Sequence, residues 1–119
     1  MNDYAERSFA FACDIVRLYR ALEPRVPTSM ARQVLKSGTS IGANLEEARA
    51  ASSRKDLTEK FAIALREARE TRYWLRLFIA TALVPAELVS AELSEANELV
   101  AILTTSVKRL RARKGSEGT

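Results

Sequence analysis

Histidine is absent from the 119 residues. That removes the commonest general base near neutral pH and the commonest metal ligand. A single cysteine, Cys13, excludes an intramolecular disulfide and a cysteine-rich zinc site. Glycine and proline are scarce, four and three in all. Turns are therefore few, which argues against a sandwich or barrel of many short strands. No apolar run approaches the roughly eighteen residues of a membrane span. Met1-Asn2-Asp3-Tyr4 lacks the basic and then apolar opening of a signal peptide. A cytoplasmic protein is expected, with Cys13 at the core or its flank and no contact with membrane. What is present is 47% hydrophobic and 29% charged, a globular composition at the length of one domain.

The net charge is +4, and it is uneven. The last twelve residues hold Lys108, Arg109, Arg111, Arg113 and Lys114 against Glu117, which leaves fourteen charges of each sign before them. The chain reads as a neutral body with a basic C-terminal end.

Four helical segments account for nearly all of it. In the first, Tyr4, Ser8, Phe11, Ile15, Leu18 and Leu22 recur at spacings of three and four, and Ala5, Phe9, Ala12, Val16 and Tyr19 form a second stripe beside them. Two adjoining stripes predict a wide buried face. Pro24 and Pro27 end this segment. The second runs from about Thr28, an expected N-cap, to about Ser52, with Val34, Gly38, Ile41, Leu45 and Ala48 as its apolar stripe. Ser53-Arg54-Lys55-Asp56 is a capping-box variant opening a third helix that is expected to last to about Leu83. Its core stripe is Leu57, Phe61, Ala64, Ala68, Thr71, Leu75, Phe78 and Ala82. Pro85 suits the first position of a fourth helix, in which Val89, Ala96, Leu103 and Leu110 repeat every seven. Gly115 is expected to stop it. Short connections make successive helices antiparallel neighbours, so the expected fold is an all-α, up-down-up-down four-helix bundle. Residues 1–113 would form one domain and 114–119 a frayed tail.

No catalytic apparatus stands out. Without imidazole, Cys13 and the serines lack a base. Ser37-Gly38-Thr39-Ser40-Ile41-Gly42 lacks the Gly-Lys-Ser/Thr ending of a phosphate loop and follows no strand. Glu67 and Glu70 share a helix with Arg66 and Arg69, which favours ion pairs over paired-carboxylate chemistry. No enzyme activity, metal or cofactor is expected. A polar stripe of Gln33, Ser37, Ser40, Asn44 and Glu47, with Glu67 and Glu70 opposite, reads as a hydrogen-bonded seam between helices 2 and 3, with Asn44 setting register. A polar pocket is the other reading of it. Ile63, Trp74 and Leu77 lie away from the core stripe of helix 3, as interface residues of an oligomer would. Arg66, Arg69, Arg72 and Arg76 surround Tyr73, and basic residues interleaved with an aromatic are a nucleic-acid-binding pattern. A solvated face with Arg66–Glu70 pairing is the alternative. The terminal cluster of Lys108, Arg109, Arg111, Arg113 and Lys114 either complements the helix dipole or contacts phosphate.

The run from Gln33 to Ala48, then Ser53-Arg54-Lys55-Asp56, then Ala64 to Leu75, resembles the bacterial four-helix bundle proteins of the 23S rRNA intervening-sequence type. The resemblance covers about half the chain in the right order. It implies a cytoplasmic homo-oligomer, typically a pentamer. A related protein, the accessory variability protein of diversity-generating retroelements, binds nucleic acid and a reverse transcriptase. RNA or another nucleic acid is thus the leading expected partner, and a reverse transcriptase a second.

Overall fold

The computed structural model describes residues 4–117, and the side chains of residues 4–112. Four helices follow one another: α1 (Tyr4–Leu22), α2 (Thr28–Arg49), α3 (Arg54–Ala80) and α4 (Ala86–Glu117). They form a rod of 53 × 25 × 23 Å. Neighbours in sequence pack side by side, while α1 and α4 touch much less. Directions alternate. Ile15 lies against Gly38, and Ser8, two turns earlier on α1, lies against Gly42, later on α2. The start of α3 likewise meets the end of α4, where Lys55 and Thr58 share a hollow with Arg111.

The helix ends have identifiable causes. At α3 the Ser53 hydroxyl accepts from the Asp56 amide at 3.0 Å, and the Asp56 carboxylate accepts from the Ser52 amide at 3.2 Å. This is the capping box the sequence shows. Five other boundaries differ from expectation. Pro27, not Thr28, is the N-cap of α2, with no side-chain cap bond, and that helix stops at Arg49 rather than Ser52. Pro85 likewise precedes α4 and gives its carbonyl to the Leu88 amide at 3.0 Å. At the end of α3, Ala82 takes φ 59°. The amides of Leu83 and Ala82 bond to the carbonyls of Phe78 and Ile79, both at 3.0 Å. This is a Schellman stop. The left-handed position holds alanine where glycine would mark it, so the sequence reads three residues too far. At the other extreme α4 continues through Gly115 to Glu117.

The core is one cluster. Phe11, Ile15, Leu22, Ile41, Leu75, Phe78, Leu99 and Leu103 are its largest fully buried members. The first stripe of α1 is buried as expected from Ser8 to Leu22, and Tyr4 is half-buried. The second is not: Ala5 is buried, but Phe9 is 66% and Val16 44% exposed. They sit beyond the line of contact with α2, on the side of α1 turned away from Arg7 and α4.

Candidate nucleic-acid interface

At about 100° per residue, Arg66, Arg69, Tyr73 and Arg76 recur at three, four and three and share one face of α3. All four are exposed, whereas Arg72 is half-buried on the flank turned to α4. The side of α3 that faces α2 is marked by Thr71, whose hydroxyl lies 2.9 Å from that of Ser37. The side that faces α4 is marked by Thr58 and Ala62, which border Arg111. The arginine stripe belongs to the α4 side. On α4, Arg111 borders this groove, and Lys108, one turn before it on the same face of the helix, is exposed with it. Lys55 and Glu59 close the groove at its end, around a hollow of about 210 Å³. The two basic clusters of the sequence therefore meet on one α3–α4 face, about 30 Å long from Lys55 to Arg76 at 1.5 Å per residue.

Arg109 stands apart from them. It lies on the α1 flank of α4, in a hollow with Tyr4, Leu57, Phe61, Ser106 and Leu110. The side chains of Arg113 and Lys114 fall outside the described residues.

Two acidic residues of α4, Glu95 and Glu98, face the opposite flank. Arg7 on α1 donates through Nε to Glu95 at 2.6 Å and through Nη2 at 2.9 Å, with Glu98 at 3.8 Å. The hydrogen bonds to Glu95 raise the Arg7 pKa above its usual value; burial opposes them, and attraction to Glu95 and Glu98 adds to the rise. Nothing in the sequence signals this pair, because its members are 88 residues apart. Its effect is to direct carboxylates away from the α3–α4 groove. There, Arg66 has Glu67 at 3.9 Å. Arg69, Arg76, Lys108 and Arg111 have no acidic partner within 4.0 Å among the described residues. The expected Arg66–Glu70 pair does not form. Glu70 instead accepts from Trp74 Nε1 at 3.2 Å.

The polar seam is narrower than the sequence implies. Gln33 and Glu47 are exposed, and Ser40, Asn44, Glu67 and Glu70 are half-buried. Asn44 donates to the Ser40 carbonyl at 2.8 Å within its own helix. The bond that crosses between helices joins Ser37 and Thr71, both buried. Thr71 also lies 2.8 Å from the Glu67 carbonyl. One hydroxyl proton cannot serve both contacts. The pair is satisfied when Thr71 donates to that carbonyl and Ser37 donates to Thr71. Thr71→Val should therefore leave the Ser37 hydroxyl only its long 3.4 Å bond to the Val34 carbonyl and cost about 1 kcal/mol, read as a fall of roughly 4–8 °C in melting temperature. Ser37→Ala leaves Thr71 bonded and should cost less. Equal losses in thermal unfolding would show that the hydroxyl pair does not bridge the helices.

Ile63, Trp74 and Leu77 are all half-buried. Trp74 packs back on its own core, with its ring 6.5 Å from that of Phe78. The most exposed large apolar side chains are instead Phe9 and Tyr73. Among the described residues no group of three or more Cys, Asp or Glu could hold a metal ion, and no helix is long and apolar enough to cross a membrane.

Comparison with known proteins bears on this arrangement. A search of curated proteins found no match. A crystal structure of a protein of unknown function from the S23 ribosomal protein family of Bacteroides thetaiotaomicron superposes with a TM-score of 0.82 at 41% identity, covering 89% of this chain and 99% of that one. The family model for the 23S rRNA-intervening sequence protein matches residues 2–105. That span includes all of α1, α2 and α3 and most of α4, so the chain belongs to the 23S rRNA-intervening sequence protein family.

Proposed function

We propose that this protein is a non-enzymatic, oligomeric four-helix bundle that binds nucleic acid electrostatically, with RNA as the leading ligand, in the cytoplasm. The observation that carries the reading is the α3–α4 face. Among the described residues Arg66, Arg69, Arg76, Lys108 and Arg111 line it, Glu59 borders its end, Glu67 lies 3.9 Å from Arg66, and Glu95 and Glu98 of α4 turn to Arg7 on the other flank. A groove lined by one sign of charge concentrates polyanions. Among the described residues the face does not combine its arginines with Asn and Gln at major-groove spacing, so binding should show little sequence preference. Oligomerisation would multiply such faces and raise avidity.

The second reading is a structural or protein-interaction module, such as an accessory subunit of a reverse transcriptase. Phe9 and Val16 favour it, being exposed and two turns apart on one face of α1. The same pair supports self-association, for which the ring of five is the form the family resemblance implies. Ile63 and Leu77 remain candidate interface residues.

A salt titration of binding to a mixed-sequence RNA oligonucleotide tests the proposal. Five cations per face give an expected log–log slope of about −3.5 on a single strand, at about 0.7 per phosphate neutralised. Light scattering on the same preparation should return a multiple of the 13.2 kDa chain mass. Absence of binding at low salt would give first place to the protein-interaction reading, and a monomer would remove the oligomer.

A further inference from the structure

We propose that Tyr73 is a stacking platform for an unpaired base, so that the α3–α4 face takes single-stranded nucleic acid in preference to duplex. The inference rests on the nucleic-acid reading above and adds what kind of strand the face accepts.

Tyr73 is 56% exposed, yet its ring is not free. It meets Trp74 edge to face, with centroids 5.3 Å apart and planes at 76°. Trp74 is in turn anchored by its bond to Glu70 and its contact with Phe78. An aromatic held this way loses little freedom when a second ring lies on it. Beside it is a hollow of about 260 Å³ bordered by Tyr73, Arg76, Leu77 and Ala80. Leu77 and Ala80 supply an apolar wall, and Arg76 places a cation at the rim. Arg69 stands one turn away on the other side. A flat apolar ring attached to a phosphate matches that arrangement in shape and charge. A duplex keeps its base faces stacked and offers only phosphates, so it would use the arginines and not Tyr73. Base stacking on an aromatic side chain is sequence-tolerant, which agrees with an electrostatic face of little sequence preference.

The test compares a short oligouridylate with an RNA duplex of the same length, by fluorescence anisotropy at low salt on the full chain. Tyr73→Leu should weaken the single strand about tenfold, the scale of one stacked base, and leave the duplex unchanged. Tyr73→Phe should keep wild-type affinity for both. Ala80→Met, which fills the hollow without changing charge, should mimic Tyr73→Leu. If Tyr73→Leu weakens neither ligand, or both equally, the stacking inference fails while the electrostatic reading stands. If the wild type binds neither ligand, both fall. If Tyr73→Leu also lowers the light-scattering mass, the ring belongs to an interface between copies and the inference is overturned.

Discussion

Gly38→Ala is expected to destabilise the bundle by up to about 2 kcal/mol, against the usual sign of a glycine-to-alanine change inside a helix. Helix propensity alone favours alanine by about 1 kcal/mol. The opposing effect is steric. A Cβ at residue 38 would lie 2.8 Å from Cγ1, 2.9 Å from Cγ2 and 3.2 Å from Cβ of Ile15. Ile15 is fully buried, and these atoms are its β-branch, close to the α1 backbone. A β-branched side chain in a helix has essentially one χ1 rotamer, so Ile15 cannot swing away and α1 must move from α2. Overpacking of this kind costs about 1–3 kcal/mol. Gly38→Val should cost more. The decisive measurement is a double-mutant cycle by thermal unfolding. Ile15→Ala removes both Cγ atoms, and in that background Gly38→Ala should become neutral or stabilising. If Gly38→Ala is equally destabilising in both backgrounds, the contact with Ile15 is not its cause. Gly42 is a milder case, since its added Cβ would meet the Ser8 carbonyl oxygen at 3.2 Å.

That pair shows which parts of the structure were readable in advance. The three and four spacing of Tyr4, Ser8, Phe11, Ile15, Leu18 and Leu22 is a local property, and the fold places that stripe where periodicity does. The same holds for Val34, Ile41 and Leu45. Periodicity does not say how wide the covered sector is. Phe9 and Val16 have the composition of a buried stripe and the position of an exposed one, because they lie past the line of contact with α2, about 160–180° around the helix from Arg7, which meets α4. Helix ends were legible where the signal was a side chain, as at Ser53 and Asp56. They were misread where the stop was a backbone conformation on an unmarked residue, as at Ala82.

The candidate site divides in the same way. The repeat that puts Arg66, Arg69, Tyr73 and Arg76 on one face is local and was visible. That Lys108 and Arg111 share this face while Arg109 does not depends on how α4 is rotated against α3. The rotation follows from burying Ala96, Leu99, Val100, Leu103 and Val107, and it sends neighbouring residues to opposite flanks. The Ser37–Thr71 bond escaped for a different reason. Thr71 keeps the spacing of the apolar stripe, so its hydroxyl looked incidental until α2 was placed against it.

Neutralising the α3 stripe should weaken RNA binding by about two orders of magnitude at about 0.1 M monovalent salt. On a single strand each phosphate contact contributes about 0.7 to the log–log salt slope, which corresponds to roughly fivefold in affinity at that concentration. Arg66→Gln, Arg69→Gln and Arg76→Gln together remove three contacts, for about a hundredfold loss and a slope shallower by about 2. All three arginines are exposed, and the one ion pair among them, Arg66 with Glu67, is long at 3.9 Å. Exposed pairs of this kind contribute at most about 1 kcal/mol to stability, so the variant should fold, with its circular dichroism and melting temperature close to wild type. The end of α4 supplies an internal comparison. Lys108→Gln with Arg111→Gln should reduce the slope by about 1.4, because both residues face the same groove. Arg109→Gln should leave it nearly unchanged, because Arg109 faces Tyr4 on the other flank. A uniform loss across Lys108, Arg109 and Arg111, with the α3 stripe inert, would mean that phosphate is held by the helix end as a diffuse cluster and that the α3–α4 groove is a solvated face.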